Sequence, residues 1–282
     1  MSAIKPALKH LLESGFREDI GSGDLTSASL PQGNIVSGNF ITKSDGILAG
    51  TGAITEGYKL LDDSIAVKLL KTDGDSVAKG DLIATIKGPV QAILSGERTI
   101  LNILQHLSGI ATQTSAAVKN LEGSDTRVCD TRKTLPGWRV LQKYAVRCGG
   151  GFNHRMRLDD GIMIKENHIA AAGSITEAVK LVKKSAGLMV KTEVECETAG
   201  QVTEAVTAGA EIIMLDNKTP QEAKELCKQI PDSVIVELSG GITADTIGSY
   251  KECGADYISM GSLTHSVKAF DISFTLEGSI KS

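Results

Sequence analysis

The sequence predicts an α/β protein in which a parallel α/β barrel follows a small, mostly β layer. From about residue 127, short β-branched runs alternate with helical stretches, the pattern of parallel strands joined by crossover helices. Polar residues recur where those runs end, at Arg132, Lys165, Glu195, Asp216, Ser239 and Gly261. The last four fall 21, 23 and 22 positions apart, each gap the length of one βα unit. The carboxyl ends of successive barrel strands surround one mouth, so these residues converge although they are distant in sequence. A flat doubly wound sheet would spread them out, and no GxGxxG follows the first strand to support one.

The elements follow in order. Residues 5–14 carry Leu8, Leu11 and Leu12 on one helical face. After the loop "REDIGSGDLTS", the stretches "GNFITKSDGILAG" and "IAVKLLKTDGDSVAKGDLIATIKG" are short alternating runs cut by DG and KG turns, which predict strands. A long helix is expected over 96–120, with Ser95 as N-cap and the stripe Ile100, Leu101, Leu104, Leu107 and Ile110. The barrel strands are expected in "TRVCDT", "GIMIK", "LMVKTEVE", "EIIMLD", "SVIVELS" and "DYISMG". Between the first two, Thr134 caps a helix with Pro136 in its first turn, and Gly149 to Gly151 end it.

Composition excludes several classes. Only 4% of residues are aromatic, too few for a base-stacking nucleic-acid binder. The 30 basic against 34 acidic residues give no global pull toward phosphate backbones or anionic membranes. No run of 18 apolar residues suggests a membrane span. The start, "MSAIKPALKHLLESG", lacks the apolar core of a signal peptide. Five cysteines stand apart without a CxxC pair, which argues against a zinc site or disulfide framework and for a cytoplasmic protein with reduced thiols.

Against that mildly acidic background, residues 129–155 collect Arg132, Lys133, Arg139, Lys143, Arg147, His154 and Arg155. Arg139, Lys143 and Arg147 form one helical stripe, read as a solvated or subunit-facing surface. Leu141, Tyr144, Ala145 and Cys148 form the buried side. Arg132, Lys133, His154 and Arg155 flank the helix near the mouth, and two arginines there suit bidentate recognition of carboxylate or phosphate. Arg98, in the first turn of the long helix, opposes the macrodipole unless an anion lies beside it or Glu97 pairs with it. Lys165 at a strand end binds an anion or forms a Schiff base. Glu195 and Asp216 in a cationic mouth suit Mg²⁺ or ribose hydroxyls. "SGG" (239–241) and "MGS" (260–262) follow the last two strands, the barrel phosphate position. Together these sites describe a phosphosugar donor and an acidic acceptor.

"DTRKTLPG", "KYAVRCGGGFNHR", "IKENHI", "EVEC", "IIMLDN", "ELSGGIT" and "ISMGSLTHSVKAFDIS", in this order, resemble the quinolinate phosphoribosyltransferase family. So do "EDIGSGDLTS" and "SGERTILNILQHLSGIAT", and the likeness covers nearly the whole chain. It implies phosphoribosyl transfer from 5-phosphoribosyl-1-pyrophosphate to the quinolinate nitrogen with loss of CO₂, giving nicotinate mononucleotide and pyrophosphate in NAD synthesis. It implies a barrel short of eight strands over 105–265 and an α/β sandwich over 1–104, onto which 266–282 pack back. It further implies Mg²⁺ and a homodimer with shared active sites, open to higher assembly.

Residue by residue, the likeness implies that Arg98, Arg132, His154, Arg155 and Lys165 line the acid pocket, with Thr131 also touching substrate. Lys133 and Lys165 would face the pyrophosphate. Glu195 and Asp216 would hold ribose hydroxyls and metal, directly or through water or substrate, and Lys165, Glu195 and Asp216 would be catalytic. Ser239, Gly240, Gly241, Met260, Gly261 and Ser262 would hold the 5-phosphate. One departure stands out: Arg157 occupies the usual Gly of HR-x-Gly-Leu, as an added cation beside Arg155 or a solvent-facing one. Three other readings remain open: a molybdenum-transport-associated relative acting on another acid, a Lys165 Schiff-base aldolase, and a carrier-like module on the 73–88 hairpin.

Overall fold

In a computed structural model describing residues 3–277, the chain forms two compact units that interleave in sequence. The first takes residues 3–115, 134–150 and 264–277; the second takes 116–133 and 151–263. The expected return of 266–282 is described as far as 277, and 278–282 lie outside the described residues.

The first unit is built on a four-stranded antiparallel sheet in the order Ile272–Leu276, Ile35–Thr42, Leu82–Pro89, Ala66–Leu69. Phe40 and Phe274 face each other across the first pair, ring centroids 5.0 Å apart. The first helix runs over Ile4–Ile20, beyond its expected end, because Phe16 continues the buried stripe of Leu8 and Leu12 before Gly21.

The long helix spans Val90–Asn120. This corrects the expected start: Ser95 lies inside it and donates to Asp24 Oδ2 at 3.0 Å instead of capping. Val90 and Ile93 extend the buried stripe backward, and Gly96 fits because a side chain there would collide with Leu61. Arg98 is therefore two turns further in, exposed, and the macrodipole argument for an anion beside it lapses.

The helix Arg139–Cys148 also starts later than expected. Gly137 takes a φ of +80°, which breaks helical geometry after Pro136. Trp138, not Thr134, takes the N-cap place, and Thr134 Oγ1 accepts from Arg139 Nε at 2.9 Å. The expected cationic stripe is not one surface either: Lys143 is fully buried while Arg147 is exposed.

The second unit holds six parallel strands: β1 (Arg127–Cys129), β2 (Ile162–Ile164), β3 (Thr192–Cys196), β4 (Ile212–Asp216), β5 (Ile235–Ser239) and β6 (Tyr257–Ser259). Their order, β1-β6-β5-β4-β3-β2, is the cyclic order of a barrel opened between the first two strands. Into that opening Phe152 bridges to Cys129 in parallel register. The helices α1 (Glu166–Ala172), α2 (Ile175–Ser185), α3 (Ala199–Ala208) and α4 (Pro220–Cys227) connect the strands.

Local chemistry sets their ends. Ser174 caps α2, and Thr198 with Gln201 and Thr219 with Glu222 make capping boxes on α3 and α4, the latter with Pro220 in its first turn. Outward residues such as Val194, Ile213, Leu215, Val236 and Leu238 are buried, as helix-covered parallel strands require.

Candidate active site

Alternation by two decides which side chains enter the barrel. Counting along β3, β4, β5 and β6 gives Glu193 and Glu195, Met214 and Asp216, Glu237 and Ser239, and Ser259. These residues line a cavity of about 350 Å³ at the strands' carboxyl ends, or the cavity beneath it. Lys165 follows β2, where Ile164 pairs with Val194, so its neighbour on β3 is Glu195. Its backbone is fixed by donating to His168 Nδ1 at 3.0 Å in the first turn of α1.

The mouth cavity brings together Thr131, Arg132, Lys133, His154, Arg155, Lys165, Glu195, Asp216 and Ser239. Three expected groups stand apart from its lining. Arg98 belongs to the first unit. Gly240 and Gly241 follow β5, and Met260, Gly261 and Ser262 follow β6. Arg157 is exposed and also outside the lining.

Charge is arranged in two groups. On one side, Lys165 Nζ ion-pairs with Glu195 Oε2. Burial, then the charge of Glu195, raises the Asp216 carboxyl above its usual range, with Lys165 opposing. Asp216 Oδ2 accepts from Asn217 Nδ2 at 2.6 Å. Asn217 has a φ of +52°, a left-handed turn that Asn tolerates, and its N–H donates to Ser239 O at 2.9 Å. Gly240, φ +91°, lies so close that any side chain would strike Asn217.

On the other side lies the segment Asn153–Arg155. Asp130, fully buried, accepts from Asn153 Nδ2 at 2.5 Å and from the His154 N–H at 3.0 Å. His154 Nε2 lies 3.2 Å from Glu193 Oε2 and 3.3 Å from Glu237 Oε2. Arg155 donates from Nη1 to Gly161 O at 2.8 Å. Burial and neighbouring Arg132 disfavour its charge, while Glu193 supports it; a guanidinium stays charged regardless.

A second cavity, of about 400 Å³, lies at the amino-terminal ends of the strands, lined by Ile162, Lys191, Ile212, Ile235 and Tyr257. His154, Arg155 and Glu237 line both cavities. Asp130, Asn153, Glu193, Asn217 and Glu237 escaped the sequence reading. The signal was present for the glutamates: each stands two positions before a strand-end residue already chosen, Glu195 or Ser239, and therefore faces the same interior.

Family models for quinolinate phosphoribosyl transferase match the chain twice, the N-terminal domain over residues 24–108 and the C-terminal domain over 110–275. A probable nicotinate-nucleotide pyrophosphorylase (carboxylating) of Bacillus subtilis is 52% identical over 266 residues, 94% of this chain and 92% of that protein. The nicotinate-nucleotide pyrophosphorylase (carboxylating) of Mycobacterium leprae is 36% identical over 281 residues, covering 96% and 97%. The solved nicotinate-nucleotide pyrophosphorylase of Francisella tularensis superposes with a TM-score of 0.93 at 39% identity, covering 96% of each chain.

Proposed function

The chain belongs to the quinolinate phosphoribosyltransferase family and carries that activity in NAD biosynthesis, and from this premise we propose how its barrel mouth divides the reaction. Quinolinate lies against Arg132, His154 and Arg155, with Lys165 within reach and Thr131 beside them. 5-Phosphoribosyl-1-pyrophosphate lies with its ribose hydroxyls toward Glu195 and Asp216. Lys133 and Lys165 neutralise the departing pyrophosphate, and the glycine-containing turns after β5 and β6 (Gly240, Gly241, Met260, Gly261, Ser262) receive the 5-phosphate. The observation that carries this reading is the meeting in one cavity of Arg132, Lys133 and Arg155 with the carboxylates Glu195 and Asp216.

The physics suits the chemistry. A dicarboxylate needs several cations, and burying those cations unpaired would be costly. The ribose carbon gains positive character as pyrophosphate leaves, and carboxylates placed before the reaction stabilise that charge without reorganising. Lys165 stands between the two groups and ties them.

Magnesium belongs to the same proposal. Glu195 and Asp216 offer hard oxygen ligands, and burial followed by the charge of Glu195 raises Asp216, a condition a divalent cation would relieve. When bound, it would neutralise charge on the pyrophosphate. Arg98 serves the mouth of a partner subunit in a homodimer. No helix among the described residues is long and apolar enough to cross a membrane. None of the five cysteines is joined in a disulfide, as suits a reducing cytoplasm.

Incubating the protein with 5-phosphoribosyl-1-pyrophosphate, Mg²⁺ and quinolinate tests the reading. Nicotinate mononucleotide and CO₂ are expected from quinolinate, and no product from nicotinate, which leaves a cation unmatched. Comparable turnover of both acids would overturn the proposed pocket.

A further inference from the structure

His154 has both ring nitrogens engaged within the protein. Nδ1 accepts the Arg155 backbone N–H at 2.7 Å. Nε2 faces the Oε2 atoms of Glu193 and Glu237 at 3.2 and 3.3 Å. Neither nitrogen is left to hydrogen-bond a substrate carboxylate. The two glutamates are 3% and 5% exposed, on β3 and β5, the strands either side of β4. Burying two carboxylates is expensive unless they are compensated, so the arrangement calls for a reason.

We propose that Glu193 and Glu237 form a buried clamp on the His154 ring, which makes His154 a positioning residue that aims Arg155 at the acid. This rests on the reading of the mouth as a quinolinate pocket and changes one assignment within it. The segment Asn153–Arg155 is held from two directions. Asp130 takes the Asn153 amide and the His154 N–H from the side of β1. The glutamates take the ring from inside the barrel. Between these anchors the Arg155 backbone N–H is tied to the ring itself, so its side chain, which lines both cavities and donates to Gly161 O, leaves from a fixed origin. A guanidinium fork gains selectivity for a carboxylate only when its origin and plane are held.

The same three side chains could be read as a metal site, since one donor atom from each lies within 4.8 Å of the others. The Oε1 atoms of both glutamates are buried without a hydrogen-bond partner. The ring orientation argues against it. A metal-bound histidine donates its second ring N–H to an acceptor, whereas Nδ1 here meets a donor. That places the ring proton on Nε2, between the carboxylates, where a metal would need a bare nitrogen. Burial, the largest influence, raises the Glu193 carboxyl above its usual range, with His154 and, least, Arg155 opposing.

The test compares Glu237→Leu, which removes the acceptor, with Glu237→Gln, which keeps one. The clamp predicts at least a tenfold rise in the KM for quinolinate in Glu237→Leu, less than a twofold change in the KM for 5-phosphoribosyl-1-pyrophosphate, and recovery of most of the loss in Glu237→Gln. In a His154→Ala background, Glu237→Leu should add nothing, because the clamp acts through that ring. An unchanged quinolinate KM in an active Glu237→Leu enzyme, equal rises in both KM values, or additive effects with His154→Ala would each overturn the clamp while leaving the overall activity assigned. If Glu237→Leu fails to fold, Asn153→Ala removes one of the segment's two hydrogen bonds to Asp130 and must give an acid-selective rise; no rise overturns the proposal. Elemental analysis closes the alternative. A stoichiometric metal ion in the purified wild-type protein, lost in a Glu193→Gln variant, would replace the clamp with a metal centre.

Discussion

Lys165 and Glu195 pair directly across adjacent parallel strand ends at the barrel mouth. The Lys165 side chain is 46% exposed, and the Glu195 side chain only 15%. The pair therefore holds a lysine at the entrance through a carboxylate set deeper in the wall. A half-exposed pair of this kind contributes about 1 kcal/mol or less to stability, so its position matters more than its energy.

Lys165→Ala should consequently leave thermal stability almost unchanged and lower kcat/KM by about 100-fold, the scale seen when one charge-stabilising group is removed from a preorganised site. Melting curves and steady-state kinetics on the same preparation check both halves. Near-normal turnover would remove Lys165 from the machinery.

Glu195→Ala and Asp216→Ala should each reduce turnover strongly while leaving quinolinate binding without donor nearly intact. Their partners in the proposed mechanism are ribose and metal, so calorimetry with quinolinate alone should show little change. A chelator should abolish wild-type turnover, and added Mg²⁺ should restore it. Loss of acid binding in either folded variant would move these carboxylates to the other subsite.

A shared homodimer site makes a prediction about mixtures. Arg98→Ala and Asp216→Ala should be nearly inactive as separate homodimers. Dissociating and reassembling them together should restore activity, because one site of each heterodimer collects both lesions and the other neither. If verified heterodimers stay inactive, Arg98 works in its own chain.

His106 supplies a pH dependence of stability. Burial lowers its pKa from the ordinary 6.5, and the neutral ring lies 2.9 Å from Gln142 Nε2 and edge-on to Trp138. Because the folded pKa is below the unfolded one, the unfolded chain binds more protons in between, and stability falls as pH drops below 6.5. His106→Gln should flatten this part of the stability profile between pH 7 and 5 in denaturant titrations. An unchanged slope would mean the ring charges without cost in the folded state.

Much of this protein was legible from spacing. Strands recurring at one βα unit, each ending in a polar residue, placed Lys165, Glu195, Asp216 and Ser239 around one mouth, because pleat and crossover geometry leave little choice once the strands are parallel. Motif resemblance supplied the acceptor and donor. Capping signals did less well. Ser95 and Thr134 had the right chemistry for N-caps, yet buried apolar residues extended one helix past Ser95, and the positive φ of Gly137 delayed the other. Local hydrogen-bonding preference is worth about 1 kcal/mol at a cap and yields to burial of whole side chains.

The barrel, its strand ends and the family are legible in the residues alone. Packing in three dimensions brings Glu193 and Glu237 to His154 and Asp130 to Asn153, and buries Lys143. These contacts join residues 23 to 83 positions apart or set the burial of one turn of helix. Periodicity tells which face a residue occupies, whereas a contact requires the distance between two faces, and packing alone sets that.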